Sequence, residues 1–393
     1  MRRSDVLIAG AGIGAVRTAQ GLRDAGFEGT VRLIGEERRL PYDRPPLSKD
    51  YLLGRRSEQD IRLLDTESAR KLGVDLVLGR PLESLDPVAR RVRDATGAQF
   101  GYDRLVVATG ARPRRLPLLE GRRNVHYLRT LDDADAMRTA FAERPRVGIV
   151  GAGFIGLEIA SAARTLGCEV TVIEGADAPL AMVLGEQVGR WVQGWHEDHG
   201  VAFHCGAPLR VAHGGDSVEA LVLEDGTRVP VDVVVVGVGV DPDTGWLAGS
   251  GLELHRGLVC DAAGTSSDPH VFGVGDVACR HVDGRCIWAA HWTPASEQAQ
   301  LAAATIAGDA RPPRSLEAYF WSDQFGVRLQ FAGIVEPGAP VRVTSGAVED
   351  RRFVAEFGDD RKPTGVFAMD LMRDFLRARL ALRAGERAGS PAP

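Results

Sequence analysis

Short apolar runs alternate with helix-like segments along much of the chain. Four runs rich in β-branched residues predict buried strands: DVLIA (5–9), TVRLIG (30–35), VGIV (147–150) and EVTVIE (169–174). Helix-like segments follow the first and third of these runs. Strands that alternate with helices are typical of an α/β fold with parallel sheets.

A glycine-rich turn separates the first predicted strand from its helix. It reads GAGIGA (10–15), and Gly10, Gly12 and Ala15 match the G-x-G-x-x-A fingerprint of dinucleotide-binding folds. The first glycine allows the tight turn, the second lets a pyrophosphate approach the backbone, and the small third residue lets the helix pack on the strand. The next strand ends at Glu36, whose carboxylate can accept hydrogen bonds from a ribose diol.

The same arrangement recurs in the middle of the chain. GAGFIG (151–156) places Gly151, Gly153 and Gly156 at the fingerprint positions, and the strand that follows ends at Glu174. A single G-x-G-x-x-G is a weak signal, whereas two of them, each between a strand and a helix, are much stronger. The sequence therefore predicts two nucleotide sites, which suggests FAD and NAD(P)H.

Two further segments favour FAD at the first site. One predicted strand closes at Ala108-Thr109-Gly110, and another ends at Gly275 and Asp276. A carboxylate at that strand end could bind the ribityl chain of a flavin. Asp276 could also be a helix N-cap.

The composition is that of a globular protein without a nucleic-acid partner. The 393 residues are 44% hydrophobic and 26% charged, with a net charge of −5 and no basic block that could track phosphates. The length predicts two or three domains. No apolar stretch reaches the length of a membrane span, and the run after Arg2 and Arg3 stops at Gly10, which favours a strand over a signal peptide. We expect a cytoplasmic protein.

The five cysteines show no CxxC or CxxxxC spacing, and the first is Cys168. Buried free thiols are therefore expected, and neither a metal site nor an iron–sulfur cluster is predicted.

The segment LPYDRPPLSKDYL (40–52) combines a double proline with one of only three lysines in the chain, Lys49. Its charges follow neither a helical nor a strand period, and Pro45-Pro46 excludes a helix interior or a central strand. We expect this segment to lie outside the core and to hold Lys49 rigidly.

The chain resembles the FAD-dependent pyridine-nucleotide reductases, and within them the putidaredoxin reductase and rubredoxin reductase family that supplies oxygenases with electrons. Eight segments carry the resemblance: LPYDRPPLSK (40–49), ATGARP (108–113), YLRTLDDA (127–134), GAGFIGLE (151–158), VVGVGVDP (235–242), FGVGDVA (272–278), HWTPASEQ (291–298) and YFWSDQFG (319–326). The resemblance covers residues 1 to about 330 in family order, and the C-terminal region beyond is compatible with it.

The resemblance implies an α/β architecture with two Rossmann-like, three-layer nucleotide-binding domains and a C-terminal α+β domain. The FAD domain would comprise residues 1–112 and 243–315, and the NADH domain, residues 113–242, would be inserted into it. The C-terminal domain would comprise residues 316–393.

The resemblance also implies the site residues. Lys49 would lie by the flavin N5 and pair with Glu158 in the first turn of the second fingerprint helix, although a surface salt bridge or no bridge is the alternative. The FAD site would comprise Gly10, Gly12, Gly14, Ala15, Glu36, Arg44, Lys49, Leu82, Ala108, Thr109, Gly110, Arg129, Gly275, Asp276 and Trp292. The NADH site would comprise Gly151, Gly153, Phe154, Ile155, Gly156, Glu158, Glu174, Val238, Gly239 and Trp321. For Trp321 and Trp292, a place in the core or at an interface is the alternative.

The implied activity is hydride transfer from NADH to non-covalently bound FAD, followed by single-electron transfer to a [2Fe–2S] ferredoxin that serves a cytochrome P450 or another oxygenase. Glu174 favours NADH, because a carboxylate accepts the 2′-hydroxyl and repels a 2′-phosphate. Neither a monomer nor a homodimer is favoured.

The chain departs from the family pattern near the predicted NADH site. Met182 and Ala178 stand where relatives commonly have basic residues, and Asp241 and Asp243 make a nearby loop more acidic. These departures leave open an FAD-dependent NADH oxidase or dehydrogenase that acts on a small molecule in a biosynthetic pathway. A non-catalytic FAD-binding protein is a further alternative. A disulfide reductase is disfavoured, because the first hundred residues contain no cysteine.

Overall fold

The computed structural model describes residues 5–282, 285–288, 291–309, 318–359 and 362–389. The chain divides into two compact units, and each contains more than one segment of the sequence. The first unit comprises the described residues among 1–44, 58–112 and 240–316. The second comprises those among 45–57, 113–239 and 317–393.

Seven α-helices occur in the described residues. In chain order, α1 to α7 are Ile13–Asp24, Thr66–Leu72, Leu131–Phe141, Phe154–Thr165, Ala181–Asp198, Trp292–Ile306 and Met372–Gly389. None of the helices in these parts of the chain is both long and apolar enough to cross a membrane.

A five-stranded parallel sheet forms the centre of the first unit. Its strands, in spatial order, are Val271–Gly273, Arg104–Val107, Asp5–Ala9, Thr30–Ile34 and Val74–Val77. The strand that precedes the first fingerprint turn lies in the middle, as in nucleotide-binding α/β folds. Most residues of these strands are apolar and buried, because helices or loops cover both faces of such a sheet.

Helices α1 and α6 pack closely in the first unit. Their contact is lined by small residues, and a Cβ added at Gly21 would lie 3.0 Å from the Cβ of Ala303. Ala15, Ala19, Ala299 and Ala303 are fully buried. The alanines and glycines that follow the first fingerprint therefore set the distance between the two helices.

Two smaller sheets and several short elements complete the first unit. One sheet is antiparallel and comprises Leu82–Asp86, Arg91–Asp94 and Gln99–Gly101, and the other comprises Leu258–Cys260, Ala278–Val282 and Arg285–Ile287. The short strands Ala111–Pro113 and Val240–Pro242 pair where the chain leaves and re-enters the unit. Single 3₁₀ turns cover Gln59–Ile61, Gly245–Leu247 and Gly275–Val277.

The second unit repeats the parallel sheet. Its strands, in spatial order, are Val201–Cys205, Glu169–Glu174, Arg146–Val150, Val233–Val236 and Val125–Tyr127. An antiparallel sheet of Leu209–His213, Ala220–Leu223 and Arg228–Pro230 packs beside it. Pro45–Ser48 and Pro117–Leu119 form 3₁₀ turns.

A five-stranded antiparallel sheet forms the C-terminal part of the second unit. Its strands, in spatial order, are Tyr319–Gln324, Val327–Gly333, Lys362–Met369, Arg352–Asp359 and Val341–Ala347. Helix α7 covers one face through Phe375 and Leu382. The other face joins the core that contains α4 and α5. The fold class expected from the sequence is thus the observed one.

The expectation that the segment 40–52 would lie outside the core is wrong. Leu47 and Leu52 are buried, and Leu52 belongs to the main core of the second unit, although residues 44 and 58, on either side of 45–57, belong to the first. The prolines form a 3₁₀ turn at the surface of that core instead of excluding the segment from it. The division into three functional domains stays a prediction, because residues 113–239 and 317–393 form one compact unit.

The expectation of five free thiols is wrong in this structure. Cys279 and Cys286 form a disulfide across the antiparallel strands Ala278–Val282 and Arg285–Ile287, with Cα atoms 5.7 Å apart. The seven-residue separation matched no dithiol motif, so only the hairpin reveals the pair. Cys168, Cys205 and Cys260 are free. Among the described residues, no group of three histidine, cysteine or acidic side chains could hold a metal ion.

Candidate functional site

The first fingerprint turn has the geometry of a phosphate-binding loop. Gly10 has a φ of +119°, and a Cβ there would lie within 2.6 Å of the carbonyl carbon of Ala108. At Gly12, which precedes the first residue of α1, an added Cβ would meet nothing within 4 Å. The turn is thus closed on the protein side and open in front of the helix N-terminus, where a pyrophosphate would bind.

An ion-pair cluster lies at the ends of neighbouring elements in the first unit. Arg112 Nη2 lies 2.8 Å from Glu36 Oε2, and Arg112 Nε lies 2.9 Å from Asp243 Oδ1. The hydrogen bond to Asp243, together with both carboxylates, raises the pKa of Arg112. Glu36 keeps acceptor capacity for a ribose diol, since each carboxylate oxygen has two lone pairs. The acidic residue Asp243 is therefore already neutralised by an arginine.

The strand end at Gly275 places two further predicted FAD residues. Asp276 is half-buried inside a 3₁₀ turn whose N-cap position is Val274, so it is not the N-cap itself. Burial lowers the pKa of His291, and the nearby Asp276 carboxylate acts in the opposite direction. Trp292 begins α6 and donates its indole N–H to Asp43 at 2.9 Å. Both residues stay predictions for flavin contact.

The second fingerprint turn repeats this geometry with a tighter packing position. Gly151 has a φ of +101°, and a Cβ there would lie 2.5 Å from the carbonyl oxygen of Gly237. At Gly153, the N-cap residue of α4, the nearest atom to an added Cβ is 4.0 Å away. At Gly156 a Cβ would collide with the carbonyl oxygen of Gly151. The three glycines thus serve the turn, the ligand approach and the helix packing in that order.

A cavity of about 450 Å³ opens in front of the second turn. Gly151, Gly153, Phe154, Val238 and Gly239, five of the predicted NADH residues, line it. Glu174 also lines it and is the one charged residue among the described lining residues. The described lining thus offers a carboxylate acceptor for a ribose hydroxyl and contains no basic side chain.

Glu174 is held in position by the backbone. Its Oε2 accepts a hydrogen bond from the N–H of Ala152 at 2.7 Å, and its Oε1 accepts one from Ala176 at 2.9 Å. Each oxygen keeps a second lone pair for a ribose hydroxyl. The carboxylate is consequently oriented at the cavity before any ligand arrives.

Two of the four departures from the expected family pattern, Ala178 and Met182, line this cavity. Ala178 is fully buried, and Met182 is 92% exposed at the mouth. Met182 lies in the first turn of α5, which kinks at Gly185, where φ is +75°. Asp241 and Asp243 are not among the lining residues. The acidic loop is therefore not part of the cavity lining, and the expected loss of basic residues at Ala178 and Met182 stays a prediction.

Lys49 and Glu158 lie together in the second unit. Lys49 Nζ is 2.7 Å from Glu158 Oε2, and the two side chains are 13% and 5% exposed. Lys49 also donates to the carbonyl oxygen of Pro45 at 3.0 Å. Because α4 begins at Phe154, Glu158 lies in its second turn and not in the first, as the sequence suggested. A buried ion pair, rather than a surface bridge, occupies this position.

Two serines that the sequence did not indicate complete the surroundings of Glu158. Ser48 donates to Glu158 Oε2, and Ser322 donates to Glu158 Oε1 at 2.6 Å. A signal for Ser322 was present in the strand Tyr319–Gln324. Its buried positions alternate as Phe320, Ser322 and Gln324, so two polar residues share the buried face. Polar residues at buried strand positions are unusual and require partners.

The remaining predicted residues are spread over several elements. Arg44 pairs with Glu37 at 2.9 Å, and the backbone of Arg129 leads into the Thr130–Asp133 capping box of α3. Leu82 begins a strand, Ile155 is 44% exposed on α4, and Trp321 is half-buried with its ring centroid 6.2 Å from that of Tyr319. Ala108, Thr109 and Gly110 follow the strand Arg104–Val107, and Thr109 donates to the carbonyl oxygen of Asp243. Their roles stay predictions.

Both turns fit the groups that the sequence implies. Each has a glycine with open space at the N-terminus of a helix, Gly12 and Gly153, so a pyrophosphate can approach the backbone amides. FAD would be held by the first turn and NADH by the second.

Comparison with known proteins places this geometry in a family. Residues 4–305 match the family model described as pyridine nucleotide-disulphide oxidoreductase, and residues 319–392 match the one described as reductase C-terminal. The chain is 39% identical to a probable ferredoxin reductase of Castellaniella defragrans over 84% of this chain and 81% of that protein. It is 36% identical to the ferredoxin–NAD(+) reductase component of the anthranilate 1,2-dioxygenase system of Burkholderia cepacia, over 98% and 95% of the two chains.

Solved structures agree with these relatives. The reductase in the crystal structure of the covalent putidaredoxin reductase–putidaredoxin complex superimposes with a TM-score of 0.91. That likeness covers 96% of this chain and 93% of the other, at 30% sequence identity. The two nucleotide-binding turns, the C-terminal antiparallel sheet and these similarities together show that the chain belongs to the pyridine nucleotide-disulphide oxidoreductase family, in its ferredoxin reductase branch.

Proposed function

We propose that this chain is an NADH-dependent ferredoxin reductase that passes electrons, one at a time, to a [2Fe–2S] ferredoxin serving a cytochrome P450 or another oxygenase. The observation that carries the proposal is the presence of two nucleotide-binding turns in one chain, each with open space at its second glycine. One NADH delivers two electrons, so each turnover reduces two ferredoxin molecules. Because NADH is a cytoplasmic reductant, we place the activity in the cytoplasm.

The residues of the second turn would select and orient the reductant. The amides at the start of α4 would bind the pyrophosphate at Gly153. Glu174, already fixed by the N–H groups of Ala152 and Ala176, would accept the ribose hydroxyls. Bound FAD would supply the hydride acceptor and the one-electron donor, and the protein would supply orientation and charge.

The Lys49–Glu158 pair would supply a fixed charge arrangement beside the reaction. A lysine ammonium held by a buried carboxylate cannot swing away without leaving that carboxylate unpaired, which costs about 3–5 kcal/mol for a buried pair. The same cost would keep the Lys49 ammonium against the Glu158 carboxylate throughout turnover. This role would require no proton transfer from either residue.

The colour of purified protein, its bleaching by NADH and its cytochrome c reduction test the proposal directly. We expect yellow protein that NADH bleaches under anaerobic conditions, and cytochrome c reduction that depends on added [2Fe–2S] ferredoxin. Bleaching without ferredoxin dependence, but with rapid peroxide formation in air, would replace the reductase by an NADH oxidase. Colourless protein that takes up no flavin would exclude both.

A matched pair of lysine variants tests the ion pair. Lys49→Met removes the buried ammonium, whereas Lys71→Met removes an exposed lysine that pairs with Glu67 on the same helix, both side chains being 68% exposed. We expect Lys49→Met to slow anaerobic bleaching by about tenfold or more, and Lys71→Met to leave it unchanged. Equal rates in both variants would remove Lys49 from the mechanism.

A further inference from the structure

A row of buried hydrogen bonds leads away from the Glu158 carboxylate. Ser322 Oγ donates to Glu158 Oε1 at 2.6 Å, and Gln324 Nε2 donates to Ser322 Oγ at 2.9 Å. The Nε2 of His196 lies 2.6 Å from Gln324 Oε1. All four side chains are at most 5% exposed, and all belong to the second unit. We call Ser322, Gln324 and His196 the support row.

The direction of every hydrogen bond in the support row follows from the carboxylate at its end. A carboxylate only accepts, so Ser322 must donate to Glu158. The Ser322 oxygen then accepts from the amide N–H of Gln324, which leaves the Gln324 oxygen to accept from His196. His196 therefore carries its proton on Nε2. Burial lowers the pKa of His196 to about 4, so the ring is neutral at physiological pH.

The far end of the row is fixed by aromatic packing. The His196 ring lies 5.3, 5.0 and 6.0 Å, centroid to centroid, from the rings of Trp195, Phe325 and Phe203. Its Nδ1 is buried without a hydrogen-bond partner among the described residues. Burying an unpaired nitrogen costs free energy, and an apolar side chain at this position would not have that cost. The hydrogen bond that Nε2 donates to Gln324 is therefore the reason we assign for a histidine here.

The support row divides the two oxygens of Glu158 between two tasks. Oε1 is bound by Ser322, while Oε2 receives Lys49 and Ser48. Without the Ser322 hydroxyl, the carboxylate could rotate about its last torsion, which is broad and roughly two-fold. The Lys49 ammonium would then either move with the carboxylate or lose its ion pair with it.

We propose that Ser322, Gln324 and His196 are positioning residues of the reductase reaction, because they fix the Glu158 carboxylate and through it the Lys49 ammonium. The proposal rests on the proposed function, in which that ammonium acts beside the flavin. A purely structural row would join α4, α5 and the strand Tyr319–Gln324 without any effect on Lys49. The two possibilities differ in what Lys49 does when the row is cut at a distance from it.

The scarcity of lysines makes the behaviour of Lys49 measurable. Trace acetylation with acetic anhydride, followed by mass spectrometry, reports Lys49 against the internal references Lys71 and Lys362. In Ser322→Ala we expect Lys49 to react about threefold faster or more relative to both references. A hydrogen bond to a charged group contributes more free energy than a threefold change in rate requires. This readout does not depend on catalysis.

Ser161→Ala is the matched control. Ser161 is a buried serine of α4 whose hydroxyl oxygen accepts from the N–H of Phe325, and among the described residues it has no hydrogen bond to Ser322, Gln324 or His196. We expect unchanged Lys49 acetylation in this variant. Equal acetylation in Ser322→Ala and Ser161→Ala would overturn the proposal. If Ser322→Ala does not fold, Gln324→Met cuts the row one residue further out at nearly the same volume and is judged by the same two outcomes.

Kinetics then relate the row to the reaction. In Ser322→Ala we expect the limiting rate of anaerobic bleaching to fall by about tenfold while the NADH concentration for half-maximal rate changes little, and Ser322→Thr to restore the rate by restoring the hydroxyl. Slow bleaching in Lys49→Met with normal bleaching in Ser322→Ala would refute only the support row. Normal bleaching in Lys49→Met would refute the role of Lys49 itself.

Discussion

Two glycines in the second nucleotide-binding turn should separate ligand binding from folding. We predict that Gly153→Ala folds normally and loses NADH, whereas Gly156→Ala loses stability. The two residues are three positions apart at the start of α4, and both receive the same methyl group. The pair therefore tests whether open space at the second glycine is reserved for a ligand.

The structure sets the size of each effect. At Gly156 an added Cβ collides with the carbonyl oxygen of Gly151 and lies 3.3 Å from its carbon, so backbone must move. Overpacking costs about 1–3 kcal/mol, and a collision with backbone belongs at the upper end. At Gly153 φ is −74°, which is ordinary for alanine, and the nearest atom is 4.0 Å away. We expect a stability change within about 0.5 kcal/mol there.

Thermal unfolding and calorimetric titration measure the two quantities separately. A loss of about 3 kcal/mol should lower the midpoint of the second unit by roughly 6–12 °C in Gly156→Ala. In Gly153→Ala the midpoint should be unchanged, while the NADH dissociation constant rises by about tenfold or more because the pyrophosphate meets the methyl group. Unchanged NADH affinity in a folded Gly153→Ala protein would refute the assignment of this turn to NADH.

Four further predictions concern selectivity, pH and thiols. Glu174→Ser combined with an arginine at Ala176 should raise the NADPH/NADH ratio of bleaching rates, and an unchanged ratio would contradict the role of Glu174. The pKa of His196 is 6.5 in the unfolded chain and about 4 in the folded protein, so the unfolded chain binds more protons between these pH values. The free energy of unfolding should therefore decline as pH falls from about 6.5 to 4. Urea titrations of His196→Met should show a smaller decline. The hydrogen bond from Arg146 lowers the pKa of Asp232 to about 2, so this carboxylate contributes stability above about pH 4 that is lost as pH falls toward 2. Because both side chains are nearly half exposed, Asp232→Asn should lower the free energy of unfolding at pH 7 by at most about 1 kcal/mol. Protein purified in air and denatured without reductant should titrate three thiols, rising to five after reduction, and five before reduction would exclude the Cys279–Cys286 pair.

The parts of the fold that could be predicted from the sequence are those whose causes are local. Each fingerprint turn needs glycines two residues apart and a small third residue, Ala15 or Gly156, because a tight turn, an open approach and close packing all occur in one short stretch of chain. Four of the ten strands in the two parallel sheets were predicted with bounds, from apolar runs of four to six residues, and they differ from the observed strands by at most one residue at either end.

The support row could not be predicted because its partners are distant in sequence. Ser322 and Glu158 are 164 residues apart, and His196 and Gln324 are 128 apart. The buried alternation of Phe320, Ser322 and Gln324 signals that partners exist but does not name them. The Lys49–Glu158 contact was expected only because the chain resembles a known family.

Composition misled in two places for the same reason. The proline-rich segment 40–52 looked like surface, yet Leu47 and Leu52 are buried, since two apolar residues suffice to attach a short turn to an existing core. Asp243 looked like a change in the NADH site, but Arg112 neutralises it elsewhere. In both cases the neighbours that decide burial or charge come from other parts of the chain.

The assignment of residues 45–57 to the second unit has a consequence for biosynthesis. During translation these residues emerge before any of the sheet that they will pack on, and the first unit lacks its edge strand until Val271–Gly273 has been made. Neither unit is contiguous, so no simple truncation yields a complete copy of one. Leu52 and its neighbours therefore stay without their core partners until the sheet of the second unit has been synthesised.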